Sequence, residues 1–151
     1  MWEPVRRPMS SELKNVYLWL LLPVVTGSLI LRLLDRAGLL FFDLKSYGSV
    51  LAPTLFILAA VFSLGLPILY RAWFAHRLRD HQQVSRPDFM RFERRLIYIA
   101  LVTPYLALVA LAFKVPGFHF TGIVLMAFYA AYYFYPSKKR VTYEKKIFRM
   151  K

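Results

Sequence analysis

Four long apolar runs, separated by short charged segments, dominate the order of residues along the chain. The first run is interrupted only by Arg32 near its end, the second has no charge before Arg71, and the third has none. A membrane-crossing helix needs about 20 apolar residues. The fourth run is the shortest of the four and comes close to this length. The pattern predicts an all-α fold with four transmembrane helices, at residues 16–34, 49–73, 96–114 and 119–135.

The connections between these runs predict two antiparallel hairpins. The third and fourth runs are joined by the short segment KVPGFHF, whose Pro116 and Gly117 favour a tight turn. The connection between the first two runs is itself apolar at residues 37–44, but it is too short to cross a bilayer. Two alternatives stay open for this stretch, because it could lie in the outer interface or pack over the helix ends.

The link between the second and third runs, residues 75–95, is strongly basic. It contains Ser85 and Asp88 at the spacing of a helix start, with Pro87 in the first turn. One interpretation is therefore a third helix that begins about two turns before the membrane. The other is a solvated loop. On the helical alternative, three apolar side chains would share one face: Phe89, Phe92 and Leu96.

Charge and composition together give an orientation. The 151-residue chain, predicted to form one domain, is 58% hydrophobic yet has a net charge of +13. Of its 21 Lys and Arg residues, all but four fall in the N-terminus, the tail, and the central link taken together with Arg71 at the end of the second run. The four on the other side are Arg32, Arg36, Lys45 and Lys114. By the positive-inside rule, both termini are expected to face the cytoplasm. The membrane is expected to be the inner membrane of a bacterium.

A cleaved signal peptide is the competing interpretation of the first run, since basic residues precede it. The run is long for a signal core, and the sequence after it, RLLDRAGLL, has no small-x-small cleavage site. We therefore expect the first run to be retained as a span.

Prolines interrupt three of the predicted spans, at Pro23, Pro67 and Pro104. Each lacks an amide hydrogen and so leaves a carbonyl without its usual helical partner. Such breaks can line a binding site in transporters, whereas in many membrane helices they are simple kinks. The kink is the interpretation we favour.

Residues that could perform chemistry are scarce within the spans. The middle of every run lacks Asp, Glu, His, Lys and Arg, and the chain has no Cys. Proton-coupled transport, haem ligation and thiolate metal sites all require such residues. We therefore expect no catalytic residue, no cofactor and no metal site. Arg32 and Asp35, three residues apart at one helix end, are predicted to form an interfacial ion pair.

The basic segments are the remaining candidates for binding. They are predicted to contact anionic lipid head groups or an acidic partner, through Arg91, Arg94, Arg95, Lys138, Lys139, Arg140, Lys145, Lys146 and Arg149. The tail, residues 137–151, follows a tyrosine-rich belt and Pro136, and a short helix there would place Tyr143, Ile147 and Met150 on one face. Because a tail held at the bilayer already faces anionic head groups, nucleic acid is not an expected partner.

Two functional hypotheses remain, from different classes. The first is a non-enzymatic accessory, assembly or scaffold subunit of a larger membrane complex, with a membrane protein or a second copy as partner. The second is a small homo-oligomeric transporter or channel that uses Thr103, Pro104 and Tyr105 near a cavity. An enzyme acting on lipid ranks third, since no nucleophile is paired with a base.

Overall fold

The computed structural model of the chain describes residues 9–39, 48–77 and 85–147. Within these ranges the chain is 90% helix and contains no strand, which confirms the all-α prediction. A π-helical segment, Val61–Gly65, joins the second helix to the third. The six α-helices are α1 (Met9–Arg36), α2 (Gly48–Ala60), α3 (Leu66–Arg77), α4 (Arg86–Ala112), α5 (Gly117–Tyr133) and α6 (Lys138–Ile147).

Three helical segments are long and apolar enough to cross a membrane: Ser10–Arg36, Val50–Arg77 and Arg86–Ala112. The fourth predicted span corresponds to α5, whose 17 residues extend about 25 Å at the α-helical rise. Only α5 and α6 together are long enough to count as a fourth span, and the angle between the two helices is 75°. The described chain therefore has three to four helices that fit a membrane-spanning protein.

The start of α4 decides between the two interpretations of the basic link. Ser85 caps the helix, because its hydroxyl accepts the Asp88 N–H at 3.4 Å and donates to the Asp88 carboxylate. The predicted link 75–95 is thus helical at both ends, and residues 78–84 lie outside the described residues. The early helical start is confirmed, and its predicted apolar face is buried: Phe89, Phe92 and Leu96.

Helix α4 lies at the centre of the bundle and packs against α1, α2, α3 and α5. Phe74 near the end of α3 stacks on Phe92 near the start of α4, with ring centroids 4.0 Å apart. Lys114, just after α4, contacts Asp35 at the end of α1. Helices α1 and α4 therefore run in the same direction, and α3 runs against them. α1 and α2 do not pack on each other, because α4 lies between them. The prediction of two hairpins was therefore wrong in pairing the first two runs directly.

Small residues allow the helices to approach closely. Ala59 is fully buried together with Ala110 and Ile123, where α2, α4 and α5 meet. At Gly122 in α5, an added Cβ would overlap the Phe56 ring of α2. Apolar burial drives little association in lipid, so contacts of this kind supply much of the packing energy between membrane helices.

The helices continue through the prolines rather than ending at them. Pro23 lies inside α1 and Pro104 inside α4. Pro67 is buried just after the π-helical segment. Leu66, which caps the end of that segment, donates its N–H to the Val61 carbonyl. The wider π turn is the local adjustment that accompanies this proline, as expected where an i−4 bond is lost.

Candidate functional site

A buried network of ion pairs joins α6 to the bundle. Glu144 of α6 is only 2% exposed, and its carboxylate forms an ion pair with the Arg71 guanidinium of α3. Arg140 Nε lies 3.1 Å from the same carboxylate, and Arg140 Nη2 lies 3.4 Å from Glu93 Oε2 of α4. Three helices that are distant in sequence therefore meet through two guanidinium and two carboxyl groups.

Electrostatics at Arg140 reflect this burial. Its side chain is 15% exposed, and burial, reinforced by the positive charge of Arg71, lowers its pKa to about 10. The guanidinium therefore stays protonated at neutral pH. Three buried polar atoms of the network have no hydrogen-bond partner within the described chain: Arg71 Nε, Glu93 Oε1 and Glu144 Oε2. Removing one member of such a network leaves the others buried without compensation.

Local sequence explains why α6 forms at this position. Pro136 is buried in the turn after α5, and Ser137 caps α6 by accepting the Arg140 N–H at 3.2 Å. Arg140 also donates to the Tyr133 carbonyl at 3.2 Å, which satisfies an acceptor left open at the end of α5. Val141 is buried beside this junction. The predicted helix exit at Pro136 and the short tail helix are both present.

The outer face of α6 carries the predicted apolar pair. Tyr143 and Ile147 are exposed, as expected for side chains that would enter a head-group layer, and Met150 lies outside the described residues. The opposite, inward face of α6 was not predicted from the sequence.

The predicted binding residues differ in their exposure. Arg140 was predicted to contact lipid or a partner, but the structure places it in the buried network, because two carboxyl groups hold it there. Lys145 is partly buried, and Arg149 lies outside the described residues. The other six are exposed and form what we call the basic surface: Arg91, Arg94, Arg95, Lys138, Lys139 and Lys146.

At the opposite end of the bundle, the predicted pair between Arg32 and Asp35 is not formed. Asp35 Oδ1 lies 2.6 Å from Lys114 Nζ instead. Because α1 and α4 run in the same direction, the turn after α4 comes beside the end of α1 and delivers this lysine. Arg32 lines an apolar groove of about 330 Å³ between α1, α4 and α5, which Pro104 also lines.

Tyrosines surround the junction of α5 with α6. Tyr129 and Tyr133 stack with ring centroids 5.4 Å apart, and Tyr132 is exposed. The Tyr17 hydroxyl of α1 donates to the Ala131 carbonyl at 2.6 Å, and its ring meets Tyr135 edge-on. Rings with a wettable hydroxyl are typical of a membrane–water interface.

Residues named for the transporter hypothesis do not form one cavity. Thr103 is fully buried, and its hydroxyl has no partner within the described chain. The Tyr105 hydroxyl donates to the Leu20 carbonyl at 2.7 Å and so ties α4 to α1. Of the three residues, only Pro104 lines the groove beside α1.

Three members of the buried network were missed from the sequence: Arg71, Glu93 and Glu144. Glu144 is the single acidic residue of the tail and lies four residues after Arg140, a spacing that favours an ion pair on a helix. That signal could have identified one pair. Nothing local connects Arg71 to Glu144, since 73 positions separate them.

No group of three or more His, Cys, Asp or Glu side chains that could hold a metal ion occurs among the described residues. Comparison of the chain with protein-family models, curated proteins and solved structures finds no match.

Proposed function

We propose that the protein is a non-enzymatic, multi-pass membrane protein that serves as an accessory, assembly or scaffold subunit of a larger membrane complex. In this proposal α1, α2 with α3, α4 and α5 are four spans in the inner membrane of a bacterium. Both termini, α6 and the start of α4 face the cytoplasm, where most of the Lys and Arg residues collect.

The observation that carries the proposal is the docking of α6. The charges of Arg71, Glu93, Arg140 and Glu144 pair with one another and hold this helix against the bundle. As a result, the lysines of α6 project from an ordered helix instead of a flexible tail. A preordered surface loses less conformational entropy when a partner binds, which favours a docking role.

An acidic cytoplasmic segment of a membrane-complex subunit is the partner that this surface fits. The basic surface has six exposed cations, and complementary charge steers association and fixes the partner's orientation. Anionic lipid head groups would also be attracted, at about 1 kcal/mol for each basic residue near the membrane surface.

The experiment is affinity purification of the full chain after extraction in a mild detergent, with quantitative mass spectrometry of the proteins that copurify. We expect a reproducible membrane-protein partner with the natural chain. Recovery should fall by about tenfold or more in the double variant Lys139→Gln/Lys146→Gln, because two cation contacts are lost.

The matched control is Arg32→Gln/Arg36→Gln, which removes two exposed cations at the opposite end of the bundle. It should leave recovery of the partner unchanged. If the natural chain copurifies with nothing, or if both double variants lose the partner equally, the proposal is wrong.

The alternative is a homo-oligomeric transporter or channel. The π-helical segment favours it, because such segments occur frequently at functional sites. Solute flux into liposomes containing the purified chain tests it. Flux that is abolished by Pro104→Ala would support transport, and the absence of flux for every solute tested, from a monomeric chain, would contradict it.

A further inference from the structure

A second pocket lies between the C-terminal end of α3 and the N-terminal turns of α4, away from the α6 network. It encloses about 310 Å³, near the lower limit of common ligand pockets. Its lining consists of four aromatic or charged residues from each helix: Tyr70, Trp73, Phe74 and Arg77 from α3, and Asp88, Arg91, Phe92 and Arg95 from α4.

The aromatic residues form a fixed wall. Phe92 stacks on Phe74 at 4.0 Å and on Tyr70 at 5.4 Å, and Tyr70 stacks on Trp73 at 5.8 Å. Stacked rings with few rotatable bonds hold a pocket open at small entropic cost. The Arg77 guanidinium lies 5.5 Å from the centre of the Trp73 ring, so the wall also orients one of the arginines.

Charge in the pocket is out of balance. Three guanidinium groups face one carboxylate, Asp88, whose Oδ1 lies 4.0 Å from Arg91 Nη1. No ion pair is formed by Arg77 or Arg95 within the described ranges. Like charges that line one pocket repel each other, and an anion between them would relieve that repulsion.

We propose that this pocket binds a phosphate group. Arg91 and Arg95 are one helical turn apart and Arg77 approaches from α3, so planar donors reach the pocket from two sides. Guanidinium forks match phosphate oxygens with paired hydrogen bonds, which favours phosphate over a single-point anion. Arg91 and Arg95 belong to the basic surface as well, whereas Arg77 and the aromatic wall belong to this pocket alone, so phosphate binding in Arg77→Gln tests the site separately from the proposed partner.

Two sources could supply the phosphate: the head group of an anionic phospholipid, or soluble phosphate. A single reporter can distinguish them, because Trp73 lines the pocket and the chain has only three Trp residues. The variant Trp2→Phe/Trp19→Phe therefore leaves Trp73 as the one tryptophan of the chain, and tryptophan can be excited without exciting the tyrosines. This full-length chain would be placed in phosphatidylcholine nanodiscs at constant ionic strength.

One series of samples is titrated with inorganic phosphate, and a second contains increasing fractions of phosphatidylglycerol. A saturable change in Trp73 fluorescence is expected in at least one series. Saturation by inorganic phosphate identifies a soluble ligand, and saturation only with phosphatidylglycerol identifies a lipid head group. If neither series gives a saturable change, the proposal is overturned.

Variants then test which arginines hold the ligand. We expect half-saturation to rise at least tenfold in Arg91→Ala/Arg95→Ala and in Arg77→Gln, which lies on the other helix. Arg86→Ala is the matched control, since Arg86 is exposed on α4, does not line the pocket and is not part of the basic surface. It should shift half-saturation less than twofold.

The helix content of each variant is measured by circular dichroism. A variant whose helix content falls is replaced by the corresponding Arg→Lys variant. Lysine keeps the charge but not the planar fork, so the replacement should still weaken binding. Equal effects of Arg86→Ala and the pocket variants, or unchanged binding in all of them, would contradict the phosphate site.

Discussion

Glu144 is the carboxyl group through which α6 is joined to α3. Its Oε1 atom is shared by Arg71 from α3 and Arg140 from its own helix. Both of its neighbours are cations in a mostly buried setting, where charges are weakly screened. A carboxyl group at this position is therefore what allows two guanidinium groups to lie close together.

Replacing Glu144 by Ala should release α6 from the bundle. Arg71 and Arg140 would lose the carboxylate that they share. Removing one member of a fully buried ion pair costs about 3–5 kcal/mol, and the cost here is smaller because the Arg71 side chain is 32% exposed. We expect trypsin to cleave after Lys138 and Lys139 at least tenfold faster than in the natural chain. The time course of cleavage in detergent, followed by mass spectrometry, measures this.

Lys146→Ala is the control for the same helix, because this side chain is exposed and makes no ion pair within the described residues. Its cleavage rate at Lys138 and Lys139 should match that of the natural chain. Equal rates in Glu144→Ala and the natural chain would show that the network does not hold α6.

At the scale of the helices, close approach at glycine sets the geometry of the bundle. Gly122 lets α5 lie directly on the Phe56 ring of α2. Gly27 of α1 similarly faces Leu108 of α4, where an added Cβ would come within 3.2 Å of a leucine methyl group. The Leu108 side chain is flexible at its tip, whereas an aromatic ring packed between helices has less freedom to move.

Gly122→Ala is therefore expected to destabilise the contact between α2 and α5 by about 1–3 kcal/mol, the usual cost of overpacking. Unfolding of the detergent-solubilised chain, followed by tryptophan fluorescence, measures the change. Gly65→Ala is the comparison, since nothing lies within 4 Å of a Cβ there, and it should be neutral or slightly stabilising. A neutral Gly122→Ala would contradict the close packing.

The cap of α4 supports the pocket and the aromatic wall. Ser85→Ala removes the side chain that accepts the Asp88 N–H, and loss of such a cap costs about 0.5–2 kcal/mol. Hydrogen exchange should accelerate in the first turn of α4 and remain unchanged in its apolar part after Leu96. Unchanged exchange in that first turn would show that the cap contributes nothing.

For the molecule as a whole, apolar run length and helix-start signals predicted where helices lie, but not the π-helical segment that divides the second run into α2 and α3. The four runs and the Ser85–Asp88 signal are local, so they predicted the all-α fold and the early start of α4. The arrangement of helices around α4 depends on contacts between distant residues, which is why the separation of α1 from α2 was not predicted.

The same reason explains the errors at the charged sites. Asp35 has two basic neighbours in sequence, Arg32 and Arg36, yet its partner is Lys114, delivered by the turn after α4. Arg140 resembles the other cations of the tail until Glu93 and Arg71 are brought beside it. Ion pairs between different helices form only when the bundle packs. Spacing along the sequence can indicate only pairs that lie one helical turn apart.

Because the chain has no Cys, single cysteines can report which side of the membrane each end of the bundle faces. Suitable exposed positions are Glu12 at the start of α1, Phe118 at the start of α5 and Lys139 in α6. Each is replaced by Cys in the full-length chain. The cells or inside-out vesicles are then treated with a maleimide that does not cross membranes.

The sidedness of these three positions tests the proposed architecture most directly. We predict labelling of Phe118→Cys in intact cells from which the outer membrane has been removed, with Glu12→Cys and Lys139→Cys labelled only in inside-out vesicles. Labelling of Lys139→Cys from the outside, or of Glu12→Cys and Lys139→Cys from opposite sides, would contradict four spans with a cytoplasmic basic surface.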